Sequence, residues 1–68
     1  MTENELDIQL KNYGLSLSDA CEMIYHKAGK YIQPKHIRTR FDRYQTLSKT
    51  QTIIFELFFR SIDDARKN

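Results

Sequence analysis

The chain has 68 residues, one cysteine, two glycines, one proline and a formal net charge of +2. A chain this short makes one domain and buries only about 60% of its unfolded surface, so it needs a strongly apolar core or a staple. A single cysteine excludes an intrachain disulfide, no cysteine–histidine cluster offers a zinc site, and no run approaches the roughly 20 apolar residues of a membrane span, which leaves oligomerisation as a possible staple.

Four helical segments are expected in chain order. The first runs from about Glu3 to Tyr13. Thr2 and Glu5 form a capping box, Leu6, Leu10 and Tyr13 share a face, and Gly14 accepts the left-handed conformation that ends a helix. The second, 17–28, begins with Ser16 and Asp19 in a similar box. It carries Leu17, Ala20, Cys21, Ile24 and Ala28 on one stripe and stops at Gly29. The third, 34–44, opens with Pro34 at N1, where its missing N–H costs nothing. Ile37, Phe41 and Tyr44 form its apolar face. Lys35, His36, Thr39 and Arg43 lie opposite, with Arg38 and Arg40 on the flanks.

The fourth segment, 49–66, starts with a Ser48–Gln51 capping box. Its apolar side chains spread over about 240°, where a surface helix needs only about 100°. A strand over Thr50–Phe59 is the lesser alternative, because the run lacks strict alternation and has no partner strand. As a helix, the segment covers two surfaces. One reading makes it the central helix wrapped by the other three. The other divides the arc: Ile54, Leu57, Phe58 and Ile62 face the core, while Phe55 and Phe59, four apart, dock on a partner or a second copy, an interface to which Ile62 at the border is also assigned. The lack of a disulfide or metal favours a homodimer. The expected fold is therefore all-α, a compact bundle of about four helices in a single domain over 1–68. The pair 17–28 and 34–44 loosely resembles a helix–turn–helix, with a connection, 29–33, longer than the usual turn of about 3–4 residues.

Charge is unevenly distributed. Residues 1–22 carry a net −4, residues 23–49 a net +6, and residues 50–68 balance. Cations in the middle third alternate with Tyr25, Tyr31, Phe41 and Tyr44, a pattern suited to phosphate neutralisation. On a DNA-binding reading, Lys35, His36, Thr39 and Arg43 reach base edges and Lys27, Lys30, Arg38 and Arg40 hold phosphates. The expectation is a small DNA-binding transcriptional regulator of the kind phages, plasmids or bacterial operons encode. The alternative is a small modulator, an inhibitor, antirepressor or adaptor, that docks on an acidic protein partner. A solvated basic face with no partner is the blandest option.

Catalysis is not expected, since there is no glycine-rich phosphate loop, nucleophile elbow or paired-histidine motif. Nor is a cofactor, a metal or a small-molecule substrate. Cys21 falls on the apolar stripe and reads as a buried thiol. His26 faces solvent. The last few residues read as frayed and without a role. The N-terminal stretch is acidic and polar, unlike a secretory signal, so the expected location is the cytoplasm.

Overall fold

The computed structural model describes residues 1–67. It is 76% helical, with α1 at Glu3–Asn12, α2 at Leu17–Ala28, α3 at Pro34–Tyr44 and α4 at Lys49–Arg66. Among the described residues there is no strand; Thr2 and Thr46 form an isolated antiparallel bridge. The radius of gyration is 11.5 Å, close to the roughly 11 Å expected of a compact chain this long.

Local chemistry sets the helix ends. Thr2, Ser16 and Ser48 each accept from the backbone N–H at N3, and Glu5, Asp19 and Gln51 at those positions accept from the cap residue's own N–H. The three boxes satisfy donors that a helix start otherwise leaves unpaired. α3 has no capping side chain and relies on Pro34. α1 ends one residue earlier than its apolar pattern suggests, with Tyr13 as its C-cap. Gly29 ends α2 with φ of 67°, and Gln45 ends α3 with φ of 61°. Gln45 holds without strain relief a conformation that glycine adopts freely.

One apolar core joins the four helices. Leu6, Ile24, Ile37 and Phe55 are its fully buried centre, surrounded by Leu10, Leu17, Ala20, Cys21, Phe41, Leu47, Phe58, Phe59 and Ile62. No polar or charged residue is buried among those described.

This core corrects the divided-arc expectation for α4. Phe55 is 0% and Phe59 6% exposed, and Ile62 is buried with them, so none of the three offers an outward anchor. Together with Phe58 they occupy an arc of about 100°, and that aromatic arc turns inward because it removes the most apolar area from water. Phe59 is held further by Tyr13, whose ring stacks on it at 5.1 Å with an interplanar angle of 7°. The side chains left outside are Leu57, 56% exposed, and Ile53, 45% exposed, with Ile54 half-buried beside them.

Other placements also differ from expectation. Tyr44 is 57% exposed, because α3 ends there and its ring lies under the Arg40 guanidinium, 4.0 Å from the centroid. Ala28 is exposed at the end of α2. Leu47, in the α3–α4 loop, is buried and donates its N–H to the Met1 carbonyl at 2.9 Å. The end of α4 is engaged through Asp63 and Arg66 rather than frayed, and Asn68 lies outside the described residues. The Tyr13 hydroxyl donates to Asp63 at 2.7 Å, and the Arg66 guanidinium stands 5.3 Å from the Tyr13 ring. This contact pushes the Tyr13 phenol above its ordinary value, chiefly because the hydrogen bond to Asp63 favours the protonated form.

Candidate nucleic-acid interface

Two α3 side chains, Ile37 and Phe41, enter the core, which leaves the rest of that helix at the surface. At 100° per residue, His36, Thr39, Arg40 and Arg43 follow i, i+3, i+4, i+7 spacing and share one outer face. They line a shallow concavity of about 260 Å³ with Tyr44 and Gln51. Lys35, His36, Thr39 and Arg43 are exposed; Arg40 is half-buried. No carboxylate lines this concavity, and among the described residues no acid pairs with Lys35, Arg40 or Arg43. Arg40 is oriented by its own surroundings: Nε donates to the Thr46 carbonyl at 3.2 Å while the guanidinium covers Tyr44. The first turn of α3 contains no acid, and Lys35 and His36 occupy it instead.

Arg38 departs from the expected phosphate-binding set. Its Nη1 lies 3.0 Å from Glu3 Oε2 and 3.5 Å from Asp7 Oδ1. Glu3 and Asp7, one turn apart on α1, hold this guanidinium against the chain's own acids. Asp42, four residues on, shares Arg38's side of α3. The helix is thus divided lengthwise: a side tied to α1 through Arg38, and a side from His36 to Arg43 that is free of carboxylates.

Lys27 and Lys30 lie elsewhere. With Ile24, Ala28, Ile54, Leu57, Phe58 and Ser61 they line a groove of about 300 Å³ between the end of α2 and α4. No carboxylate lines this groove either. Gln51 borders the α3 concavity and Ile54, one turn further along α4, borders the groove. The two surfaces are therefore neighbours on one flank of the molecule. The opposite flank, between α1 and α4, gathers Glu5, Glu56 and Asp63 around Arg60.

The remaining candidates carry little chemistry. Cys21 is buried, and burial pushes its thiol up, away from the thiolate that acts as a nucleophile. His26 is exposed, 3.9 Å from Glu22 one turn earlier. Among the described residues no group of three or more His, Cys, Asp or Glu side chains is placed to hold a metal, and no helix is long and apolar enough to cross a membrane.

The residues that sequence reasoning misses are Tyr44 and Gln51 at the α3 concavity and Leu57 and Ala28 in the groove. Angular position alone puts Leu57 outside the arc of Phe55, Phe58, Phe59 and Ile62, so that signal is available. Arg40 and Tyr44, four apart on one helix, are neighbours by spacing, so their contact is signalled too. No protein-family model, curated protein or solved structure matches the chain, so function has to be read from surface chemistry.

Proposed function

We propose that this chain is a small DNA-binding domain, a cytoplasmic regulator of the kind a phage, plasmid or bacterial operon encodes, which meets the duplex with the outer face of α3. The observation that carries this reading is the carboxylate-free row His36, Thr39, Arg40 and Arg43, with Lys35 beside it, on a helix that buries only Ile37 and Phe41. Eleven residues of helix span about 16 Å, and a major groove about 12 Å wide admits such a helix. Arg43 and Thr39 reach base edges, where arginine pairs with guanine and threonine meets the thymine methyl. Lys35 and Arg40 contact phosphate and fix register without reading sequence. The start of α3, which no side chain caps, adds the positive end of the helix dipole. The acidic α1 opposes this contact only weakly, because Glu3 and Asp7 are partly neutralised by Arg38. A lone buried thiol suits the reducing cytoplasm.

The reading makes a quantitative demand. The two phosphate-contacting cations, Lys35 and Arg40, release counterions from about two phosphates, so the logarithm of the association constant should fall with the logarithm of salt with a slope of about −1.8 per protomer. Fluorescence anisotropy of a labelled duplex, titrated with the full chain at several salt concentrations, measures that slope. Lys35→Ala should flatten the slope by about one and Arg43→Ala should lower affinity with little change in slope, whereas Arg38→Ala should leave the slope unchanged. No binding to duplex or single strands at low salt ends the proposal. The alternative, a protein-binding modulator, draws on a different surface, the apolar groove between α2 and α4.

A further inference from the structure

Ile54, Leu57, Phe58, Ile24 and Ala28 form the apolar walls of the groove between α2 and α4. Ser61 is the one uncharged polar side chain in the lining, and its hydroxyl already donates to the Phe58 carbonyl at 2.7 Å. Among its lining side chains the groove therefore offers no free hydrogen-bond donor except at its rim. There Lys27 and Lys30 stand, with no carboxylate within ion-pair distance among the described residues. Leu57, more than half exposed, forms one side.

We infer that this groove is a docking site for an amphipathic, acidic segment of a partner protein: one large apolar side chain enters beside Leu57, and flanking Asp or Glu side chains meet Lys27 and Lys30. The charge of the rim selects this occupant. An apolar trough edged only by cations attracts a segment whose own anchors are framed by acids, and repels one framed by bases. A second copy fits less well, because pairing this face with itself would gather the lysines of both chains around one seam. Duplex DNA finds phosphate partners at the rim but nothing to read on the apolar walls. The groove shares no lining residue with the α3 concavity, so this inference and DNA binding through α3 stand or fall separately.

A display library of random peptides of about 16 residues, some four turns if helical, panned against the full chain, tests the inference without a known partner. The enriched peptides should carry apolar residues three or four apart with Asp or Glu on the flanks. Their affinity should fall at least about tenfold with Leu57→Ser, and Lys27→Glu combined with Lys30→Glu should shift the enriched flanks to Lys and Arg. All three substitutions fall on exposed positions, and an unchanged helical circular-dichroism signal verifies the fold. Failure to enrich peptides, enrichment without acidic bias, or binding indifferent to Leu57 overturns the inference. Self-association in sedimentation equilibrium that Leu57→Ser abolishes also overturns it, by giving the groove to a second copy. So does a Leu57→Ser effect on duplex binding as large as that of Arg43→Ala.

Discussion

Individual side chains divide sharply into those the fold needs and those it leaves for contact. Phe55 sits at the centre with no exposed surface, while Leu57, two residues on, lies mostly in water. Truncating a buried phenylalanine costs about 3–5 kcal/mol, much of the stability a domain this small possesses. Phe55→Ala should therefore abolish or severely weaken the cooperative melt followed by circular dichroism. Leu57→Ala should change stability by no more than about 0.5 kcal/mol. Gln45 makes the opposite kind of case. Its side chain is exposed and its backbone is left-handed, a conformation that disfavours residues with a Cβ. Gln45→Gly should raise the urea midpoint, by about 0.5–1 kcal/mol in unfolding free energy, despite the greater freedom glycine gives the unfolded chain. A lower midpoint would show that the Gln45 side chain contributes more than its backbone costs.

Among the elements, α1 is fastened at both ends by polar contacts with distant parts of the chain. Near its start, Glu3 and Asp7 hold Arg38 of α3; just past its end, Tyr13 stacks on Phe59 and donates to Asp63 of α4. The Tyr13 phenol is raised above its ordinary value of 10.0 in the folded chain. Its protonated form is thus favoured by folding. That contribution is complete below about pH 10, the unfolded value, and disappears as pH climbs through the raised folded value. Melting temperatures measured from neutral pH upward should fall more steeply above about pH 10 for the native chain than for Tyr13→Phe, which keeps the stacked ring but has no proton to lose. Parallel curves would show that the hydrogen bond to Asp63 is not maintained in solution. These fastenings also explain what is legible in the sequence. Helix positions, three capping boxes and the stop at Gly29 rest on residues within a few positions of one another, and local pattern reveals them. The direction in which α4 faces depends on Tyr13 reaching Phe59, 46 positions away, and the capture of Arg38 depends on α1 lying beside α3. Leu47 belongs to no periodic run, so only the fold shows it to be core. For the candidate site, the outer face of α3, with Tyr44 four residues after Arg40, is readable from helical spacing, whereas the absence of Arg38 from it and the presence of Gln51 are tertiary outcomes.

Across the whole molecule, charge is sorted by flank. Cations of α3 and of the α2 end occupy one side, and Glu5, Glu56 and Asp63 gather on another. Such a distribution orients an anionic partner before contact and fades as salt shortens the reach of the field, to about 8 Å at physiological ionic strength. The Glu3–Arg38–Asp7 cluster is exposed and contributes at most about 1 kcal/mol to stability, so it can be altered without losing the fold. Combining Glu3→Gln with Asp7→Asn should release Arg38 for phosphate and remove two repelling charges. Duplex binding should then tighten, with a salt slope steeper by about 0.9. Weaker binding in this double variant would mean that the acids position α3 for its target.

The Arg40–Tyr44 pair adds an optical consequence. The chain contains no tryptophan and four tyrosines, so phenolic emission dominates its intrinsic fluorescence. One of those four fluorophores sits directly beneath a guanidinium on the proposed DNA-facing surface. If phosphate draws Arg40 away, the ring loses its cover and its quantum yield shifts, giving an unlabelled titration signal that Tyr44→Phe would erase while the emission of the other three persists.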